Sequence, residues 1–208
     1  DEFGNKPTPV QMQTIPVLLS GRDAIIVAPT GTGKTLAYML SIFGRLGRAD
    51  PEAQGIRAIV MAPTRELAHQ IYSEARRFNP NLGNVDGEGE FKINYLNKAL
   101  YKSWKTQPPS RHPDILVCTP LRLIDAIDDG VVQIEPLQML VLDEADRLLD
   151  DAFLEQLDGL MQRVQGKARG PVQKAILSAT IPTGIEQLAR ASLLLDPIRV
   201  TVGRGAAA

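Results

Sequence analysis

The stretch that decides the fold is AIIVAPTGTGKT, residues 24–35, in which an apolar run passes through two glycines into a periodic segment. Ala24–Ala28 is predicted to be a buried strand, and Thr35–Leu46 has the apolar spacing of a helix. The intervening loop is typical of a phosphate-binding loop, because its glycines let backbone N–H groups point inward at phosphate oxygens. The start of the helix adds the positive end of its dipole.

This loop is the first candidate site. Its members are predicted to bind the phosphate chain of a nucleotide: Ala28, Pro29, Thr30, Gly31, Thr32, Gly33, Lys34 and Thr35. The Lys34 ammonium is expected to reach the β- and γ-phosphates, and the Thr35 hydroxyl is expected to bind Mg²⁺. Ala28 stands where the general pattern has glycine, so the match to the sequence pattern is incomplete. The prediction therefore depends mainly on the position of the loop between a strand and a helix. The alternative is a chance Gly-Lys-Thr in a surface turn.

Short aliphatic runs alternate with longer amphipathic stretches along the rest of the chain. The further predicted strands are Ala58–Met61, Phe91–Tyr95, Ile115–Thr119, Met139–Leu142, Lys174–Leu177 and Ile198–Val202. The further predicted helices are Arg65–Phe78, Leu121–Ile127, Ala152–Val164 and Thr183–Leu194, with Pro120 and Pro182 in first turns, where proline is tolerated. Loops are expected at Pro80–Glu90, Arg111–Pro113 and Gly166–Pro171. The alternation predicts βαβ units, a parallel sheet and a three-layer α/β/α sandwich, with function at the carboxyl ends of the strands.

The amino-acid composition limits which classes of protein this chain can belong to. The 208 residues are 44% hydrophobic and 23% charged, which is typical of a globular chain, and we expect one domain over residues 1–203. Residues 204–208 are interpreted as the start of a linker or the end of an expressed fragment. The formal net charge of −1 means that any nucleic-acid contact needs a local patch or backbone donors. The single cysteine, Cys118, is predicted to be a buried, inert thiol, and with no long apolar stretch an intracellular protein outside the membrane is expected.

A second candidate site follows the apolar run Met139–Leu142. Asp143-Glu144-Ala145-Asp146 stands at the carboxyl end of that predicted strand. Asp143 is expected to hold Mg²⁺ and Glu144 to orient or deprotonate an attacking water. The alternative, an acidic first turn of a helix, is weighed about evenly for this segment alone. Together with the phosphate loop, the metal site is the favoured interpretation.

Six elements in order resemble the first domain of DEAD-box RNA helicases. They are Pro7–Gln11, Ala28–Thr35, Pro63–Ala68, Thr119–Arg122, Asp143–Asp146 and Ser178–Thr180. The resemblance implies a RecA-like P-loop NTPase fold, ATP and Mg²⁺ as cofactors, and catalytic roles for Lys34, Asp143 and Glu144. It also implies that Gln11, assisted by Thr8, reads the adenine edge, which an amide can do by pairing with N6 and N7 together.

The same resemblance implies an RNA-binding surface. Its expected residues are Pro63, Thr64, Arg65, Thr119, Pro120 and Arg122, which would hold the RNA backbone with low sequence specificity. Ser178 and Thr180 are expected to couple the acidic segment, through Asp146, to closure on RNA; the alternative is a polar cap at a strand end. Trp104 is interpreted as part of a solvated amphipathic helix rather than a stacking surface, and neither His69 nor His112 is assigned to catalysis.

Some positions depart from the commonest family pattern. Leu121 stands where most members have glycine, and no Gly-Gly doublet separates the two RNA segments, since Gly87-Glu88-Gly89 is a poor replacement. With the long Phe91–His112 segment, these features resemble the nucleolar helicases of small ribosomal subunit assembly, so a nuclear or nucleolar location is expected, with the cytoplasm as the alternative. The aromatic residue that stacks on adenine in the family is expected upstream of this chain, since Phe3 is too close to Gln11.

The partner of this domain is expected to be a second RecA-like domain of the same protein. In the family that domain supplies an arginine finger, worth about 10³–10⁵ in rate, so little turnover is expected from this chain alone. A protein cofactor is a further expected partner. Two alternatives were weighed: an RNA-binding scaffold whose nucleotide site regulates docking, and a small-molecule kinase, for which no lid or acceptor site is evident.

Overall fold

The computed structural model describes residues 6–47, 55–79, 90–149 and 151–203, the side chains of 151–154 excepted. The loop predicted at Pro80–Glu90 lies outside these ranges except for Glu90, as do Phe3, residues 87–89 and residues 204–208.

Among the residues that the structure describes, seven strands form one parallel sheet. They are β1 (Ala24–Val27), β2 (Ala58–Met61), β3 (Ile93–Tyr95), β4 (Ile115–Cys118), β5 (Met139–Leu142), β6 (Gln173–Ser178) and β7 (Ile198–Thr201), in the spatial order β3-β4-β2-β5-β6-β1-β7. Every residue of β1, β2, β4 and β5 is buried, which is why these strands are continuous apolar runs. The seven predicted strands are confirmed, with ends that differ by at most two residues.

In the described ranges, eight helices cover the two faces of the sheet. They are α1 (Pro9–Leu19), α2 (Lys34–Leu46), α3 (Arg65–Phe78), α4 (Lys98–Thr106), α5 (Pro120–Asp128), α6 (Ala145–Leu148), α7 (Asp151–Lys167) and α8 (Thr183–Ser192). Side chains of α1 to α3 pack in one core layer with Ile26, whereas side chains of α4 to α8 pack in the other with Ile25. The side chains of successive strand residues therefore pack on opposite faces of the sheet, and the predicted three-layer α/β/α sandwich is confirmed.

Three local predictions need correction. Pro182 precedes α8 as its N-cap rather than lying in the first turn, because its ψ of 146° is extended. The loop predicted from Gly166 begins two residues later, since α7 continues through Lys167. Trp104 is neither solvated nor a stacking surface: it is 7% exposed in the core, with its ring centroid 6.3 Å from that of His112. Helix α4 is nevertheless amphipathic, because its remaining residues are exposed or half-buried.

Two buried polar or reactive side chains belong to the framework. Cys118 is fully buried, as predicted, and burial raises the pKa of its thiol. Asp114, 1% exposed, precedes β4 and accepts hydrogen bonds from the Lys92 backbone N–H at 2.9 Å and from the guanidinium groups of Arg57 (3.3 Å) and Arg111 (3.0 Å). These bonds compensate the desolvation of the carboxylate. None of the described helices is long and apolar enough to cross a membrane.

The strand order divides the carboxyl edge of the sheet into two halves. Strands β5, β6 and β1 are neighbours, so the segments that follow them meet: the acidic segment, Ser178 and the phosphate loop. Strands β3, β4 and β2 form the other half and end beside the two predicted RNA segments. The β2–β5 pair joins the halves, because Met61 is in register with Leu142.

Candidate functional site

The phosphate loop has the backbone that its glycines predict. Gly31 and Gly33 have φ values of 74° and 91°, and Gly33 is the N-cap of α2. The left-handed φ of Gly33 favours glycine, and a β-carbon there would lie 2.5 Å from Gln11 Nε2 and displace that amide. Thr32 Oγ1 donates to the Pro29 carbonyl at 2.8 Å and stabilises the curl of the loop.

Lys34 lies inside this curl. Its Nζ donates to the carbonyl oxygens of Ala28 at 2.5 Å and Pro29 at 2.9 Å. Burial lowers the pKa of Lys34, while the charges of Asp143, Asp146 and Glu144 oppose that effect. The ammonium is therefore a half-buried cation beside the acidic segment, an arrangement suited to binding an anionic phosphate together with a metal ion.

Thr8 and Gln11 fasten the start of α1 to the phosphate loop. They form a capping box, in which Gln11 Oε1 accepts from the Thr8 N–H at 2.9 Å. Thr8 Oγ1 donates to the Thr32 carbonyl at 2.8 Å, and Gln11 Nε2 reaches the Gly33 carbonyl at 3.4 Å. Both ends of the Gln11 amide thus have protein partners, and its predicted contact with adenine stays a prediction.

The Asp143 side chain is buried at the wall of the cleft and accepts two hydrogen bonds. Its Oδ1 accepts from the Glu144 N–H at 2.9 Å, and its Oδ2 accepts from the Tyr38 hydroxyl at 3.0 Å. Burial raises the pKa of Asp143, and these two bonds and the charge of Lys34 act in the opposite direction. Burial likewise raises the pKa of the fully buried Tyr38, with the nearby Asp143 charge adding to the effect.

Tyr38 was not predicted as part of the site. It occupies a core position of α2, and its hydroxyl interacts with the side chain of Thr35 as well as that of Asp143. The usable signal was a tyrosine at an apolar helix position one turn after the phosphate loop, because a buried tyrosine hydroxyl needs a partner.

The residues present fit a Mg²⁺ site. Thr35 and Asp143 supply a hydroxyl and a carboxylate oxygen around the Tyr38 hydroxyl, and both line the same cleft. Mg²⁺ prefers oxygen ligands and is usually held by one or two carboxylates together with substrate phosphates. A divalent cation here would also offset the cost of keeping Asp143 ionised in a buried position.

Glu144 has an unusual backbone conformation for a residue other than glycine. Its φ of 48° and ψ of 51° are left-handed, and it is the N-cap of the short helix α6. Strain of this kind is concentrated at functional sites. Glu144 lines the cleft and pairs with Arg147 at 3.3 Å.

The predicted coupling residues form a chain of contacts. Thr180 Oγ1 lies 3.5 Å from Asp146 Oδ2, at the limit of a hydrogen bond. Ser178 Oγ donates to the Thr180 carbonyl at 2.7 Å and accepts from the Thr180 N–H at 3.3 Å. Ser178 therefore caps its strand end, as the alternative interpretation had it, while Thr180 reaches the acidic segment.

The nucleotide cleft is a cavity of about 670 Å³, within the range of small-molecule sites. Ten predicted site residues line it: Gln11, Thr30, Gly31, Gly33, Lys34, Thr35, Asp143, Glu144, Asp146 and Ser178. Helix α3 adds four lining residues: Leu67, Gln70, Glu74 and Phe78. Their spacing places them on one face of the helix, but the sequence did not show that this face lines the cleft. Another cavity, of about 580 Å³, is lined by none of the predicted site residues.

A separate groove of about 290 Å³ lies at the other half of the sheet edge. Three predicted RNA-binding residues line it: Arg65, Thr119 and Arg122. The other three do not. Pro63 and Pro120 are buried, and Thr64 caps α3 by accepting the Leu67 N–H at 3.2 Å, so these residues shape the backbone behind the groove.

The turn between β3 and α4 completes the groove and was missed from the sequence. It contributes residues 95–99, which include the exposed Lys98. The Tyr95 hydroxyl donates to the Arg65 carbonyl at 3.2 Å, and Asn97 caps α4 through the Leu100 N–H at 2.8 Å. Arg122 Cζ lies 5.0 Å from the Tyr101 ring centroid, and its guanidinium pairs with Asp125 at 3.4 Å.

Comparisons with known proteins agree with this geometry. The model of the family described as DEAD/DEAH box helicase matches residues 8–188. The chain is 37% identical over 206 residues to the ATP-dependent RNA helicase ROK1 of Yarrowia lipolytica, covering 97% of this chain and 37% of that protein. It is 39% identical over 207 residues to ROK1 of Scheffersomyces stipitis, covering 98% and 35%. The chain thus spans little more than a third of these relatives.

A solved structure resembles the whole chain. The crystal structure of the yeast DEAD-box splicing factor Prp28 superimposes with a TM-score of 0.84 and 30% sequence identity, covering 100% of this chain and 48% of that one. The shared fold is the RecA-like arrangement that the family resemblance implies. With the family match over residues 8–188, it shows that the chain belongs to the DEAD/DEAH box helicase family.

Proposed function

We propose that this chain is the ATP-binding domain of an ATP-dependent RNA helicase. The observation that carries the proposal is the placement of two sites on one edge of one sheet. The nucleotide cleft lies at the ends of β1, β5 and β6, whereas the groove lies at the ends of β2, β3 and β4. Because β2 and β5 are paired, the two sites are joined through neighbouring strands of one sheet.

In the nucleotide cleft, Lys34 binds the β- and γ-phosphates with the N–H groups of the phosphate loop. Mg²⁺, held through Thr35 and Asp143, supplies neutralisation of the phosphate charge. Glu144 orients or deprotonates the attacking water, and Gln11 with Thr8 reads adenine. The cleft that these residues share supports the roles of Lys34, Thr35 and Glu144 together.

In the groove, Arg65, Thr119 and Arg122 bind the RNA backbone. Helices α3 and α5 both begin beside it, so their N-terminal N–H groups add donors for phosphate. Contacts of this kind carry no sequence information, so the expected RNA binding has low sequence specificity.

The contact between Asp146 and Thr180 couples the two activities. The Ala28 N–H donates to the Ser178 carbonyl at 3.1 Å, so the start of the phosphate loop is tied to the strand that carries Ser178 and leads to Thr180. Asp146 and Glu144 belong to the same short segment. Movement of this segment on nucleotide binding would therefore shift Thr180.

Turnover requires a second RecA-like domain of the same protein, which would supply an arginine finger worth about 10³–10⁵ in rate. The share of the curated relatives that this chain covers supports this proposal. Alone, the chain binds nucleotide weakly and shows little RNA-stimulated turnover.

The finer proposal is a role in small ribosomal subunit assembly, which would place the protein in the nucleus or nucleolus and give it a protein cofactor. It rests on Leu121, which is 57% exposed at the groove, on the absence of a Gly-Gly doublet between the two RNA segments of the sequence, and on the long Phe91–His112 segment. Cross-linking of RNA to the protein in cells tests it: ribosomal RNA precursors are expected, and recovery of other RNA classes alone would contradict it.

The experiment for the main proposal uses the full-length protein with Glu144→Gln. The variant should keep ATP and RNA binding but lose RNA-stimulated hydrolysis by a factor of about 10²–10⁴ and lose repeated duplex separation. Lys34→Ala is the matched control, because it should weaken nucleotide binding itself, by about 10–100-fold. If Glu144→Gln retains all biological function, the chain is an RNA-binding scaffold instead.

A further inference from the structure

An aromatic and basic cluster adjoins the groove and has no part in the function proposed above. It consists of His69, Tyr72 and Arg76 on α3 and of Tyr95 at the end of β3; it is called the α3 cluster below. Strand β3 is an edge strand of the sheet, and α3 packs against it. The cluster therefore lies where the groove opens onto the side of the domain.

The rings of the α3 cluster contact one another in a continuous set. The His69 and Tyr95 centroids are 5.8 Å apart and nearly perpendicular, the Tyr72 and Tyr95 centroids are 6.3 Å apart, and those of His69 and Tyr72 are 6.4 Å apart. Arg76 Cζ lies 5.8 Å from the Tyr72 centroid. His69 and Arg76 are exposed, while the two tyrosines are half-buried.

The cluster is continuous with the groove. Tyr95 belongs to both, because it lines the groove and its hydroxyl binds the Arg65 carbonyl. From Arg65 to Arg76, α3 extends about 16 Å away from the groove. A further shallow cavity of about 340 Å³ lies along this path, lined by Tyr72, Ser73, Arg76 and Arg77.

The positive charge of the α3 cluster indicates which class of ligand it can bind. Among the residues that the structure describes, no carboxylate pairs with Arg76: Glu74 lines the nucleotide cleft and bonds to Gln70. The exposed Glu66 lies near Tyr95, at the end of the cluster away from Arg76, where the Arg65 charge opposes it. A surface that offers aromatic rings beside arginine suits unpaired bases linked by phosphates, since rings stack on bases and arginine binds phosphate.

We propose that the α3 cluster binds single-stranded RNA that leaves the groove, with bases against His69 and Tyr72 and phosphate on Arg76. This inference rests on the function proposed above and extends it: the footprint on RNA continues past Tyr95 by a few nucleotides. Stacking tolerates any base, so the extension adds affinity without sequence specificity.

The test measures RNA affinity of the full-length protein with Mg²⁺ and a non-hydrolysable ATP analogue. The probes are two uridine single strands, one of about six nucleotides that fills the groove and one of about twelve that reaches the cluster. The wild type should bind the longer strand more tightly, on the order of tenfold. Tyr72→Ala should remove most of this gain and leave the shorter strand unchanged, while Tyr72→Phe keeps it.

A second variant leaves all three rings in place and removes only the charge beside Tyr72. Arg76→Gln alters an exposed side chain and should reduce the salt slope for the longer strand by about one. The inference is overturned if the wild type binds both strands equally, if Tyr72→Ala and Arg76→Gln bind the longer strand as the wild type does, or if Tyr72→Ala weakens both strands alike. The last result would mean that the rings only support the groove. Failure of the wild type to bind either strand would instead overturn the proposed function itself.

Discussion

The Tyr38 hydroxyl donates a hydrogen bond to Asp143 Oδ2 at 3.0 Å, although the two residues are 105 positions apart and both are buried. Tyr38 lies on α2, the helix that begins at Lys34 in the phosphate loop, whereas Asp143 follows β5. One hydrogen bond thus links the helix of the phosphate loop to the carboxylate expected to hold the metal. It fixes the orientation of that carboxylate, as outer partners of metal ligands commonly do.

Replacing Tyr38 with phenylalanine keeps the ring and removes this bond. We expect the affinity for Mg²⁺–ADP to fall by about tenfold or more, because Asp143 loses its orienting partner. Titration calorimetry on the 208-residue chain measures the effect. Tyr101→Phe is the matched control, since its hydroxyl bonds to Asp129 away from the cleft. Equal affinities for wild type and Tyr38→Phe would contradict the positioning role.

Replacing Asp143 with asparagine should stabilise the domain while abolishing metal-dependent nucleotide binding. Burial raises the pKa of Asp143 in the folded state, so its favourable contribution is present below the unfolded pKa and is lost as pH rises through the folded value. At neutral pH the ionised carboxylate therefore costs stability that asparagine avoids. We expect the Tm to rise by about 2–4 °C at pH 7.

The pH dependence of this gain is its own check. The Tm difference between Asp143→Asn and wild type should shrink as the pH falls through the raised folded pKa and disappear below about pH 3, where the carboxyl is protonated in both states. Calorimetric scans across the acid range measure it, with Mg²⁺ and nucleotide left out. A variant that is less stable than wild type at neutral pH would show that the raised pKa is not the controlling effect.

Asp114→Ala should destabilise the fold without changing the cleft directly. The change leaves the buried Arg57 guanidinium without this carboxylate, and losing one partner of a buried pair costs about 3–5 kcal/mol. Urea denaturation gives the free energy of unfolding. The comparison is Asp196→Ala, which removes an exposed ion pair with Arg22 and should cost at most about 1 kcal/mol. Similar losses in the two variants would show that the buried hydrogen bonds of Asp114 do not stabilise the fold more than an exposed ion pair does.

Thr180→Ala should separate hydrolysis from duplex separation in the full-length protein. The substitution removes the 3.5 Å contact with Asp146 but leaves Lys34, Asp143 and Glu144 in place. We expect ATP hydrolysis within a few-fold of wild type and duplex separation reduced at least about tenfold, the scale of a single coupling contact. Measuring both rates on one preparation decides it. A parallel loss of both would place Thr180 in the hydrolytic step rather than in coupling.

Local patterns predicted most of the fold because each strand is short, aliphatic and followed by a turn or helix signal. The phosphate loop and the acidic segment each had that context, which is why their roles could be placed at strand ends. Pro182 was misplaced because proline suits both the first helical position and the extended residue just before it. Trp104 was predicted wrongly because the lysines around it in sequence indicate a solvated helix, and α4 turns only a narrow face toward the core.

The parts of the site that could not be predicted depend on which strands become neighbours. Nothing local to Tyr38 names Asp143 as its partner, since their contact arises from the position of β5 relative to α2. The same holds for the turn at Tyr95 and Asn97, which joins the groove only because β3 pairs with β4. The prolines Pro63 and Pro120 had been placed on the RNA surface, but the structure puts them behind it.

The central claim is that the cleft around Lys34 binds a nucleotide through its phosphates and a divalent cation. Titration of Mg²⁺–ADP into the 208-residue chain tests it most directly, with Lys34→Ala as the paired variant. We predict one binding site that requires Mg²⁺ and that weakens by about 10–100-fold in Lys34→Ala, the loss expected for a charge-assisted contact. No binding to the wild type, or equal binding by the variant, would contradict the claim.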